Sequence, residues 1–161
     1  MSTPKKQEKN VQNKQTKLND VKRKYDTQWN AVNTWVEKIR ALGVQKENLT
    51  REVAALKFRH QISLGTFRRH EQRLAESGRP GANGEFEKNA RKDLEKEEKK
   101  YKKVEDEVKA VTKGIKTAQE SERKARRKLD ELHGELAEAR IKLRIEEGRL
   151  LQFGDRYRLA R

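Results

Sequence analysis

Residues 78–84 read Gly78, Arg79, Pro80, Gly81, Ala82, Asn83, Gly84, and the reading of this run decides the fold. It holds three of the nine glycines and one of the two prolines, close to the middle of a 161-residue chain. A helix does not continue through it. Pro80 has no N–H to give, and each glycine loses more backbone entropy than any other residue would. Both flanks are long, highly charged and helix-favouring. The run therefore predicts a turn between two long helices, with arms at 11–77 and 85–157.

Composition limits what those arms can bury. Only 32% of the residues are hydrophobic and 42% are charged, against roughly 45–50% and 25% in an ordinary globular domain. Such a chain either stays disordered or closes one narrow seam, which needs two apolar residues in seven. Periodicity decides for the seam. In the first arm one position recurs every seven residues as Val11, Leu18, Tyr25, Val32, Ile39, Lys46, Val53, His60, Phe67 and Leu74. A second row runs Lys14, Val21, Gln28, Trp35, Leu42, Leu49, Leu56, Ser63 and His70. Beyond the turn the rows are Leu94, Tyr101, Val108, Ile115, Glu122, Leu129, Leu136, Leu143 and Leu150, and Ala90, Glu97, Val104, Val111, Ala118, Ala125, Leu132, Ala139, Glu146 and Phe153. Heptads sustained over this length predict an all-α fold, a long antiparallel coiled-coil helical hairpin.

Centring the turn on Ala82 sets a register for the two ladders. Tyr25 then faces Ala139, Ile39 faces Ala125, Trp35 faces Leu129 and Leu74 faces Ala90. The three acids in the seam fall one layer from basic groups: Glu146 near Lys14, Glu122 near Lys46 and Glu97 near His70. Unpaired seam charge is costly, so these pairs are expected to hold the register. Residues 1–10, polar and basic with Pro4, read as a flexible tail, and 158–161 as a second one. Gly43 is the expected place for a kink, with a three-helix arrangement broken there as the alternative.

No catalytic, cofactor or metal site is expected. There is no Cys, and His60 and His70 sit ten residues apart in the seam rather than at the i, i+4 spacing of paired ligands on one helix. The carboxylates alternate with lysines, as in Asp93, Glu95, Lys96, Glu97, Glu98 and Lys99, the pattern of exposed helical ion pairs. The 78–84 run lacks the Gly-Lys-Ser/Thr ending of a phosphate loop. No enzyme and no small-molecule substrate is expected. The longest apolar runs are too short to span a bilayer and the first residues carry no apolar signal segment, so an intracellular protein, cytoplasmic or nuclear, is expected.

Charge carries the functional expectation. The net charge is +15, with 18 Lys/Arg against 8 Asp/Glu in residues 1–80 and 23 against 18 in 81–161. A solvated helix face accounts for some of this. The surplus is larger than solubility needs, and it raises the local concentration of polyanions. The candidate anion-binding residues form three groups: Lys22, Arg23 and Lys24; Lys57, Arg59, Arg68, Arg69 and Arg73; and Arg123, Lys124, Arg126, Arg127 and Lys128. With most aromatics in the seam, binding of nucleic acid would go through backbone phosphates without reading sequence. Off the seam, Trp29, Val36, Ile141 and Ile145 suggest a patch for self-association or for a partner helix, and Leu151 and Leu159 extend it.

The sequence thus predicts a non-enzymatic basic coiled-coil protein that self-associates and binds nucleic acid, RNA favoured. The alternatives are a protein–protein stalk or adaptor with an acidic partner, and a scaffold on an anionic membrane surface. In size and hairpin architecture the chain is similar to the stalk-like adaptors of secretion ATPases, and in charge to small viral RNA-packaging proteins. No residue motif carries either likeness.

Overall fold

The computed structural model describes residues 3–78 and 84–159, with side chains up to Asp155. Two helices account for nearly all of them: α1, Pro4–Glu76, of 73 residues, and α2, Glu85–Leu159, of 75. They pack against one another as an all-α antiparallel hairpin. Residues 79–83 of the expected turn, and 160–161 of the expected C-terminal tail, lie outside the described residues.

The seam is where the heptads put it. Among the described residues the ten buried apolar ones all belong to the rows above: Leu18, Val21 and Val32 from α1, and Val104, Ala118, Leu129, Leu132, Leu136, Ala139 and Leu143 from α2. The two buried polar residues, Gln7 and Glu87, extend those rows by one heptad at the start of each helix. Contacts divide the hairpin into two units, each pairing a segment of α1 with one of α2. The first takes the residues up to Glu37 with those from Ala118 onward, and the second takes Lys38–Thr117. Nine of the ten buried apolar side chains lie in the first unit. There Leu18 and Val21 cluster with Leu136, Ala139 and Leu143.

Local chemistry sets the helix ends. At the start of α1, the Lys6 N–H donates to Thr3 Oγ1 at 3.3 Å and the Gln7 N–H to the Thr3 carbonyl at 2.9 Å. Thr3 is thus an N-cap with Pro4 at the first helical position, where a missing N–H costs nothing. The expected flexible tail over 1–10 is therefore helical from Pro4, and Gln7 docks into the first unit. At its other end α1 closes on Gly78, whose φ of 70° is open to glycine without a steric penalty. Here the Ser77 N–H donates to the Arg73 carbonyl at 3.1 Å and the Gly78 N–H to that of Ala75 at 3.2 Å. Helix α2 opens with Glu85 and Glu87 against its positive end. A Cβ on Gly84 would collide with the Glu87 carboxylate, which folds back over the helix start.

Two further expectations are corrected. Helix α1 passes through Gly43 without a break, and Leu42 beside it lies against Gly114, so the three-helix alternative does not hold. The register also differs, by about one heptad. Glu146 receives the Gln7 amide (2.6 Å) rather than Lys14. Glu97 is held by His60 and Ser63, both at 3.1 Å, rather than by His70. Glu122 pairs with Arg126 of its own helix instead of Lys46, and the Tyr25 ring lies 6.1 Å from that of His133 rather than over Ala139. The reason lies in the periodicity itself: sliding one ladder by seven residues still brings apolar rows together. Seam polar groups decide between the alternatives. In the observed register the Gln7 side chain donates to both the main chain and the carboxylate of Glu146, and Gln28 donates to the Ala125 carbonyl at 2.9 Å. Among the described residues no buried side-chain polar atom lacks a partner.

Candidate functional site

All thirteen candidate cations are exposed. Their local pairing separates them. Arg23 is held by Asp20 at 2.7 Å, Arg126 by Glu122 at 2.8 Å, and Lys57 by Glu105 across the helix pair. The hydrogen bond and the charge of Glu105 hold the Lys57 ammonium above its ordinary value of 10.5. The other ten, Lys22, Lys24, Arg59, Arg68, Arg69, Arg73, Arg123, Lys124, Arg127 and Lys128, form no ion pair with a described carboxylate.

The structure also divides them between the units. In the first unit Arg123, Lys124, Arg127 and Lys128 stand on the outward side of α2. Arg127 lies four residues from Arg123 and three from Lys124, and Lys128 four from Lys124, spacings that put Cβ atoms about 5–6 Å apart. Lys22 and Lys24 belong to the same unit on α1. The cluster of residues 57–73 is part of the second unit, with a different setting. There the exposed apolar side chains Phe58, Ile62 and Phe86 accompany the arginines.

The apolar candidates differ in exposure. Trp29, Ile141 and Ile145 are exposed and Val36 is half-buried. Trp29 follows seam residue Tyr25 by one helical turn on the flank where Tyr25 meets His133. Ile145 follows Lys142 by three residues on α2, and Lys142 lines a shallow depression with Lys17, Glu135 and Glu138. Leu151 is exposed as well, and the side chain of Leu159 lies outside those described.

The histidines and acids serve the seam. His60 takes Glu97, His70 stands 3.4 Å from Glu87 with its ring edge-on to Phe86, and His133 packs on Tyr25. Among the described residues no three His, Asp or Glu side chains converge as a metal site. Hydrogen bonding and the charge of the neighbouring lysine hold Glu98 (with Lys102) and Glu138 (with Lys142) below the ordinary carboxylate value. Among the described residues no helix is long and apolar enough to cross a membrane.

Sequence reasoning missed Phe58, Ile62 and Phe86. Their signal was present as apolar residues off both rows, with Phe58 and Ile62 one turn apart. What it could not supply was that Ile62 and Phe86 line one groove, which needs the register. Comparison with family models, with curated proteins and with solved structures finds no match.

Proposed function

We propose that this chain is a non-enzymatic helical scaffold that binds polyanions, with nucleic acid, RNA above all, as the ligand. The reading is carried by one observation: Arg123, Lys124, Arg127 and Lys128 are exposed together on α2 without carboxylate partners, in the unit that also carries Lys22 and Lys24. Unpaired cations at helical spacing neutralise successive phosphates and release condensed counterions, and they need no contact with base edges. Trp29, exposed in the same unit, adds one aromatic face for an unstacked base, which favours single strands over duplex.

The test is a mobility shift with a single-stranded RNA and a duplex of matched length. A shift at 50 mM salt is expected, with affinity falling by about a thousandfold at 200 mM, the drop for some six phosphate contacts. Replacing Arg123, Lys124, Arg127 and Lys128 with Gln should weaken binding at least tenfold while the helical circular dichroism stays unchanged. Absence of any shift at micromolar protein and 50 mM salt ends this reading. Co-sedimentation with anionic but not neutral vesicles, without an RNA shift, would assign the cations to a lipid surface instead.

A further inference from the structure

The two flanks of the seam in the second unit are unlike. On one, acids answer the cations: Glu105 takes Lys57, Glu71 takes Arg91 at 3.2 Å and Glu98 takes Lys102 at 2.8 Å. On the other, Arg59, Arg69, Arg73, Lys96 and Lys100 are exposed and none is ion-paired to a described carboxylate. Along this second flank, close to the helix ends at Glu76 and Glu85, runs a groove of about 540 Å³. Ile62, Phe67, Phe86 and Leu94 line it together with Arg69 and Arg73. Ile62 remains 55% exposed and Phe86 65%, and Phe58, one turn before Ile62, is 64% exposed. Asp93 and Glu97 are also in the lining, but the Glu97 carboxylate is already taken by His60 and Ser63. The α1 segment from Ile62 to Arg73 is about 16 Å long, the length of three helical turns.

We propose that this groove docks an acidic amphipathic helix from another protein. An apolar stripe at i, i+3 or i+4, and i+7 seats on Ile62, Phe67 and Phe86, and flanking carboxylates meet Arg69, Arg73, Lys96 and Lys100. Charge selects the occupant. A second copy of this chain would bring the same unpaired cations face to face within a molecule already at +15, whereas an acidic helix completes them. Nucleic acid would meet the arginines through phosphate and leave Ile62 and Phe86 wet. The proposal goes beyond phosphate binding by Arg123–Lys128 in the first unit, and either can fail without the other.

The experiment uses the full chain and a fluorescent 21-residue peptide of Leu, Glu and Ala, with Leu at helical i, i+3, i+4, i+7 spacing. Its controls are a scrambled peptide of identical composition and a Lys-for-Glu counterpart, all read by anisotropy at 150 mM salt. The ordered acidic peptide is expected to bind at least tenfold more tightly than the scramble. Ile62→Ala with Phe86→Ala should erase that preference, and Arg69→Gln with Arg73→Gln should weaken binding tenfold or more. Ile145→Ala should leave it unchanged. Equal binding of ordered and scrambled peptides, or of the Lys peptide, overturns the proposal. So does a peptide affinity untouched in the Ile62/Phe86 variant, a dimer in sedimentation that the same variant dissolves, or RNA binding that depends on those two side chains.

Discussion

Leu136 and Ile145 lie within three turns of each other on α2 and differ only in what faces them. Leu136 is buried among Leu18, Val21, Ala139 and Leu143, while Ile145 is 48% exposed. Leu136→Ala should therefore cost about 2–3 kcal/mol in urea unfolding, the low end for a leucine deletion because a two-helix seam collapses easily around a void. Ile145→Ala should cost within about 0.5 kcal/mol. The shifted ionisable groups predict a pH dependence with a definite sign. Glu98 and Glu138 are held below their ordinary 4.5, so their support is complete above that value and is lost as pH falls through the lowered one. Lys57 and Lys102 are held above 10.5, so theirs is complete below that value and is lost as pH rises through the raised one. All four side chains are solvated and the effect is small. The thermal midpoint of Glu138→Gln should fall slightly below that of the parent at pH 7, and the gap should close at pH 3. A gap unchanged between the two would remove the ion pair as its cause.

At the scale of the element, register is the property that matters. The heptad rows predict the same buried residues for either of two alignments one heptad apart, but only one alignment gives Gln7 to Glu146 and His60 with Ser63 to Glu97. Cysteines at Leu18 and Ala139, which share one buried cluster, should form an intrachain disulfide on mild oxidation. Cysteines at Tyr25 and Ala139, partners in the other alignment, should not. The reverse result on non-reducing gels would restore the rejected register. Among the described residues the second unit has one buried apolar side chain, Val104, where the first has nine, so the segments that carry the groove rest on a wetter seam. Low burial goes with lower opening free energy.

For the whole molecule the governing quantity is charge. At neutral pH 26 Asp and Glu offset 41 Lys and Arg. Protonating the acids leaves every cation unopposed on a pair of helices held by one narrow seam, and self-repulsion then acts against the paired state. Helical circular dichroism at pH 2 should drop in 10 mM salt and recover in 500 mM salt, where the Debye length falls to a few ångströms. Helix content at pH 2 that does not respond to salt would show that repulsion is not what opens the hairpin.

The primary sequence by itself determined the two helices and the side chains that face inward, because heptad spacing is a local property that each helix carries alone. Among the described residues all ten buried apolar ones were readable as members of the two rows of each helix. The start of α1 was legible too, in Thr3 followed by Pro4, but the polar character of residues 1–10 hid it. Tertiary structure alone decided the register, since a ladder that repeats every seven residues looks the same after a shift of seven. With the register came everything that depends on which turns of the two helices meet: the partners of Glu97 and Glu146, and the groove where Ile62 and Phe86 line one surface.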